Sequence, residues 1–271
     1  MKAIVKTDIC SIMTEPTFSC ERADEALCGY ILDIEKENDE WYKATTHYNY
    51  TGFVHKDNLI ISDEKASEWA NLEKKVVTMF TCDIQESPSV RSWCLITLTR
   101  GGLVSTIGEP NEDGYFKILL PDGRTGYTKA TFLGEYFNKK CNLDENTLRK
   151  SLIDTAKTYL GVHYRWGGKT PLGIDCSGLT SISYMFHGIF TFRDARLVDG
   201  FPVKEISLEN IKPADLLYFK GHIAMYMGDG LYIHSTGKNG SDGVVINSLN
   251  KSDDNYREDL ATGILAVGSV F

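Results

Sequence analysis

The feature that most constrains this chain is an internal repeat. Residues 50–59 read Tyr50-Thr51-Gly52-Phe53-Val54-His55-Lys56-Asp57-Asn58-Leu59, and residues 124–133 read Arg124-Thr125-Gly126-Tyr127-Thr128-Lys129-Ala130-Thr131-Phe132-Leu133. Aligning Gly52 with Gly126 aligns Phe53 with Tyr127, Leu59 with Leu133 and, further upstream, Trp41 with Tyr115. The first copy carries short alternating stretches, Gly29–Ile34 and Trp41–Ala44, separated by polar turns such as Glu37-Asn38-Asp39-Glu40, and the second repeats the plan with Leu103-Val104 followed by Glu112 to Ile118. Period-2 alternation broken by turn residues reads as strands. A repeated unit of about 60 residues built this way is expected to be a small all-β barrel. The charged, helix-permissive stretch from Glu64 to Lys75 joins the copies.

From about residue 140 the texture changes. Leu148, Leu152, Ile153, Ala156, Tyr159 and Leu160 form a helical stripe that Gly161 ends. After a glycine-rich loop, Cys176 to His187 reads as a second helix. Strand-like runs then follow at Asp215–Phe219, Gly221–Met227, Leu231–His234, Val244–Ile246 and Ile264–Val270. Helices followed by an antiparallel sheet predict an α+β domain.

The chemistry sits at the start of that second helix. In Gly173-Ile174-Asp175-Cys176-Ser177-Gly178-Leu179, Asp175 or a neighbour can cap the helix, which leaves Cys176 at its amino terminus. Free N–H groups and the helix dipole favour a thiolate there, so a lowered thiol pKa is expected. Downstream, a hairpin centred on Gly228-Asp229-Gly230 sets His222 opposite Thr236, with His234 on the same face within diagonal reach. One histidine can then take the thiol proton while the other orients it, the logic of nucleophile, base and orienter. Singly, each residue has a plainer reading as a buried thiol or a core histidine; together they point to a thiol hydrolase.

Composition narrows the alternatives. With 42% hydrophobic and 24% charged residues the chain is an ordinary globular one, and 271 residues suit two or three domains. A net charge of -8 argues against nucleic acid as the main partner. No apolar run approaches the ~18 residues of a membrane span. The start, MKAIVKTDICSIMTEP, lacks the apolar core of a signal peptide, so cytoplasmic work is expected unless an export segment has been removed. The seven cysteines are odd in number and contain no CxxC pair, which fits neither zinc nor a disulfide framework. Scattered free thiols suit a reducing compartment. Neither a metal nor a cofactor is implied.

Four ordered motifs carry a specific resemblance: Tyr164-Arg165-Trp166-Gly167-Gly168, Asp175-Cys176-Ser177-Gly178-Leu179, Gly221-His222-Ile223-Ala224-Met225-Tyr226-Met227-Gly228, and His234-Ser235. Their series over about residues 140–271 resembles the NlpC/P60 cell-wall peptidases, and the repeats in front resemble bacterial SH3-type (SH3b) domains. The resemblance implies a papain-like catalytic domain at 138–271 behind two SH3b-type barrels at 1–65 and 66–137. The whole arrangement looks like that of the γ-D-glutamyl-L-diamino acid endopeptidases. These imply a murein-derived peptide with a free amino-terminal L-Ala as substrate, cut between γ-D-Glu and the diamino acid in peptide recycling. By position, Cys176 matches the nucleophile, His222 the base and His234 the third polar group. Tyr164 matches a tyrosine beside the nucleophile, Asp175 and Ser177 match residues lining the γ-D-Glu pocket, and Asp194 matches an aspartate that helps hold the dipeptide. In the first barrel, Tyr50 matches the tyrosine that binds the L-Ala amine. Glu25, in the loop before Ala26-Leu27-Cys28-Gly29, is taken as its acidic partner, with Asp24 as the rival. The chain departs from the pattern at His163, where proline is common, and at Ala195, where a hydroxyl residue often stands. Two other readings stay open: a wall-binding protein with a decayed catalytic domain, and an acyltransferase using the same nucleophile. Diamino acid preference and oligomeric state are not legible.

Overall fold

The alternating stretches of the first half become strands where the pattern places them. In the computed structural model, which describes residues 1–271, the chain divides into two compact units, 1–136 and 137–271. The first unit begins with β1 (Lys2–Val5), β2 (Ile9–Met13), β3 (Arg22–Leu27), β4 (Ile31–Lys36), β5 (Trp41–Thr46), β6 (Thr51–His55) and β7 (Leu59–Ile61). Helix α1 (Asp63–Asn71) follows, then β8 (Lys75–Val77), β9 (Thr81–Gln85), β10 (Cys94–Thr99), β11 (Leu103–Ile107), β12 (Tyr115–Leu119), β13 (Thr125–Lys129) and β14 (Leu133–Glu135).

The strand orders are β3-β2-β6-β5-β4-β1-β7 and β10-β9-β13-β12-β11-β8-β14, so the second seven-stranded sheet repeats the first strand for strand. The aligned glycines explain each other. A Cβ on Gly52 would lie 2.4 Å from Ile12 Cγ2 and 2.8 Å from Met13 O; one on Gly126 would lie 2.6 Å from Ile84 Cγ2 and 2.9 Å from Gln85 O. At both places one strand crosses so closely over another that only glycine fits. The aligned aromatics Trp41 and Tyr115 open β5 and β12 and are buried. Within this unit the sheets touch: Cys28 joins the core around Ile84, Leu98 and Ile118, and Asp8 Oδ1 accepts from Thr99 N at 2.6 Å. Helix α1, capped by Ser62, buries Trp69 against Ile4, and its indole N–H donates to Gly29 O at 2.8 Å.

The second unit contains α2 (Glu145–Lys157), the short pair β15 (Lys169–Thr170) and β16 (Gly173–Ile174), and α3 (Cys176–Met185). After these come β17 (Lys204–Ile206), β18 (Leu216–Phe219), β19 (His222–Gly228), β20 (Leu231–Thr236), β21 (Gly243–Ser248), α4 (Glu258–Ala261) and β22 (Ala266–Ser269). The six-stranded sheet runs β17-β22-β18-β19-β20-β21, with every neighbour antiparallel. All ten residues of α3 are buried, and the helix packs on β19, β20 and α2. Leu179, Ile182, Tyr184 and Met185 supply its apolar surface; burying such a side chain stabilises by ~1.5–3 kcal/mol. Its hydroxyls are satisfied: Thr180, Ser181 and Ser183 donate to the carbonyls of Ser177, Gly178 and Leu179, Ser177 to Asp175 Oδ1, and Tyr184 to Ala214 O. A helix with these hydroxyl side chains can therefore lie in the interior. No helix is long and apolar enough to cross a membrane.

Candidate active site

Cys176 opens α3 because the residue before it stops the strand and caps the helix. Asp175 has extended backbone (φ -93°, ψ 178°), and its Oδ1 accepts from Gly178 N at 2.6 Å. The same carboxylate anchors the preceding loop, since Gly167 N donates to Oδ2 at 2.8 Å. Arg193, 2% exposed, grips both oxygens at 3.0 Å and also donates to Ser177 Oγ at 2.7 Å and Gly168 O at 3.3 Å. A buried carboxylate is costly unless paired and hydrogen-bonded, and this fork-to-carboxylate pair meets that need. The glycines of the motif are required by contact: a Cβ on Gly178 would sit 2.1 Å from Gly168 O. Thus the Trp-Gly-Gly loop lies directly on the first turn of α3.

The histidines come from the hairpin. Met225 pairs with Ile233 and Tyr226 with Tyr232, the register expected for a turn centred on Asp229, and a bulge precedes Gly228. Gly228, Asp229 and Gly230 all take positive φ there (100°, 52°, 79°), which glycine adopts freely and aspartate tolerates. His222 Nε2 and His234 Nδ1 lie 2.7 Å apart, and His234 Nε2 lies 2.9 Å from Asn247 Oδ1 on β21. His234 is fully buried. The hairpin meets the start of α3 at two points: Ser235 Oγ donates to Ile174 O at 2.7 Å, and the Ile223 N–H lies near enough to the Cys176 sulfur to favour its thiolate. His222 precedes Ile223 on the same strand.

The electrostatics reverse one expectation. Burial, assisted by the Asp175 charge, pushes the Cys176 thiol up to about 11; the N–H groups of Ile223 and Ser177 and the Arg193 charge offset only part of this. The helix terminus therefore does not by itself yield a thiolate, because desolvation outweighs two N–H dipoles. Burial likewise lowers His222 to about 4 and, with the His222 charge adding to it, His234 to about 3. Burial thus favours the uncharged thiol and uncharged imidazoles. Tyr164, half-buried and within range of the Cys176 charge, has its phenol pushed above its ordinary value and keeps its proton as a donor. Gly237 lies against its ring, where a Cβ would meet Cδ1 at 3.2 Å.

The family model for NlpC/P60 matches residues 161–259, which include Tyr164, Cys176, His222 and His234. Dipeptidyl-peptidase 6 of Lysinibacillus sphaericus is 36% identical, with 100% of each chain covered. The chain belongs to the NlpC/P60 family. By that membership it is a cysteine peptidase. A γ-D-glutamyl-L-lysine dipeptidyl-peptidase of Bacillus cereus is 29% identical over 78% of this chain and 66% of its own length. The crystal structure of an NlpC/P60 family protein from B. cereus superposes with a TM-score of 0.80 at 22% identity, covering 98% of both chains, which supports the papain-like fold.

The remaining expected site residues fall into three groups. Asp175 and Ser177 are buried, with their polar atoms engaged by Gly167, Gly178 and Arg193; capping and loop anchoring are what they visibly do. Asp194 is half-buried directly after Arg193. Glu25 and Tyr50 belong to the first unit. Glu25 is not in a loop: it lies within β3, paired across to Ser11, fully buried and 3.3 Å from Arg22 Nη1. Its rival Asp24 is also fully buried and accepts from the Tyr48 hydroxyl at 2.5 Å. Two residues escaped the sequence reading. Arg193 was legible only as part of an Arg-Asp step, and Asn247 not at all, since a lone asparagine in a strand carries no periodic signal.

Proposed function

We propose that the chain hydrolyses the γ-D-Glu–diamino acid bond of murein stem peptides and releases L-Ala-γ-D-Glu. The observation that carries this is Cys176 at the start of a buried helix that packs on the hairpin bearing a hydrogen-bonded histidine pair. In the reaction the Cys176 S–H proton passes to His222 while sulfur bonds to the γ-carbonyl carbon. The tetrahedral oxyanion faces donors at the helix terminus and the Tyr164 hydroxyl. The C–N bond then breaks, His222 returns its proton to the leaving amine, and water, deprotonated by His222, splits the thioester. His234 orients His222 throughout.

The names of the relatives, which concern γ-D-glutamyl and dipeptidyl substrates, favour this substrate class. In this reading Asp175 and Ser177 shape the pocket through the Arg193 clamp, Asp194 helps hold the dipeptide, and Glu25 with Tyr50 reads the free L-Ala amine. The two repeats of the first unit are SH3b-type domains. A requirement for a free amine places the enzyme in recycling of released peptides rather than in trimming of intact wall. The test is a comparison of L-Ala-γ-D-Glu-diaminopimelate with its N-acetyl form. Acetylation is expected to lower kcat/KM by at least about tenfold, because one buried charge-assisted hydrogen bond is worth roughly 1.5–3 kcal/mol. Glu25→Gln should narrow that gap. Equal rates on both substrates remove the amine requirement and the roles of Glu25 and Tyr50.

A further inference from the structure

The histidine pair does not end at His234. On the next strand Tyr232 pairs with Asn247, so Asn247 shares a sheet face with Tyr232 and His234. Its side chain is 8% exposed and lies between two fixed partners: His234 Nε2 at 2.9 Å and the carbonyl of Asn255 at 2.8 Å. That carbonyl is itself anchored. It accepts from Ser248 N at 3.1 Å, and the Asn255 side chain donates back to Ile246 O at 3.1 Å. Ser248 Oγ donates to Asp253 Oδ2 at 2.6 Å and accepts from Asn250 N at 2.9 Å, which closes the loop on itself.

The directions of these bonds follow one from another. A backbone carbonyl can only accept, so the NH2 end of Asn247 must face Asn255 and the oxygen must face His234. That oxygen accepts, so His234 carries its proton on Nε2. In a neutral imidazole the other nitrogen is then a lone pair, so His234 Nδ1 accepts. The 2.7 Å contact next to it therefore requires a proton on His222 Nε2. His222 Nδ1 is left unprotonated, the form a general base needs.

We propose that Asn247, aimed by the Asn255 carbonyl, is a positioning residue that fixes both catalytic histidines in the tautomer competent for base catalysis. The inference rests on reading His222 as the base. Asn247 acts through His234, and it differs from an aspartate in that place by setting proton positions without adding a charge beside a buried ring. A carboxylate there would have no proton to give Asn255 O and would meet it with repulsion.

The experiment is long-range 1H–15N correlation NMR on full-length protein labelled at histidine, at pH 7, with steady-state kinetics on L-Ala-γ-D-Glu-diaminopimelate. In the wild type, His222 and His234 should each show a protonated Nε2 and a bare Nδ1. Asn247→Leu should give mixed tautomers at both rings and lower kcat by about tenfold, the worth of one hydrogen bond, with KM within about twofold. Asn247→Asp keeps an acceptor oxygen for His234 but loses the donor to Asn255 O, so it should keep the Nε2–H tautomers while recovering only part of kcat. A wild-type spectrum with His222 protonated on Nδ1 overturns the proposal, whatever the variants do. So does an Asn247→Leu protein that keeps single tautomers and full kcat. Loss of all turnover in wild type beside the expected tautomers would sink the substrate reading while leaving this one standing.

Discussion

Acidification should destabilise the carboxy-terminal unit through the histidine pair, by an amount the site dictates. Burial holds His222 near 4 and His234 near 3, against an ordinary value of 6.5. Both folded values lie below the unfolded one. Below 6.5 the unfolded chain takes up protons that the folded chain refuses, so the stability these rings confer is full above 6.5 and drains away as pH falls toward 4. Integrated from pH 7 to pH 5, each ring costs on the order of 2 kcal/mol, and the coupled pair roughly 2–4 kcal/mol. That is a large fraction of the ~5–15 kcal/mol that holds a domain together. The assay is hydrogen exchange of peptides covering residues 216–236 along a urea series at pH 7 and pH 5, corrected for intrinsic rates. Wild type should lose about 2–4 kcal/mol of opening free energy over that interval, while His222→Gln with His234→Gln should lose much less. A double variant with the same pH slope as wild type would refute the reasoning, because the protons would then be bound elsewhere.

His222→Ala should lower kcat by about 10²–10⁴, the usual worth of a positioned base, and His234→Ala by less, since water can partly replace an orienter; a larger loss at His234 would exchange their roles. Arg193→Met should destabilise the carboxy-terminal unit by about 3–5 kcal/mol in urea unfolding, because it strands the buried Asp175 carboxylate, and an effect below about 1 kcal/mol would mean the clamp is not structural.

Much of this was open to reading from residues alone, and the reasons are local. Gly52 and Gly126 reveal the repeat because a strand crossing within a Cβ radius tolerates no other residue, so the constraint is written in one letter. The hairpin register was legible because Gly228-Asp229-Gly230 fixes the turn and period-2 geometry does the rest. What failed depended on depth or on another strand. Glu25 looked like a loop residue because acids are depleted in strands, yet β3 buries Asp24 and Glu25 side by side. The thiol pKa went the wrong way because the dipole of a helix is visible in sequence while the burial of its first residue is not. Asn247 was invisible because its meaning comes from His234, a cross-strand neighbour that no spacing along the chain predicts.

The central claim is that Cys176 cuts the γ-D-Glu–diamino acid bond. Wild type and Cys176→Ala should be incubated with L-Ala-γ-D-Glu-diaminopimelate and the products weighed by mass spectrometry. Wild type should release L-Ala-γ-D-Glu and free diaminopimelate, and folded Cys176→Ala should release neither. An intact substrate with active wild type, cleavage at L-Ala, or near-normal turnover by Cys176→Ala would contradict it.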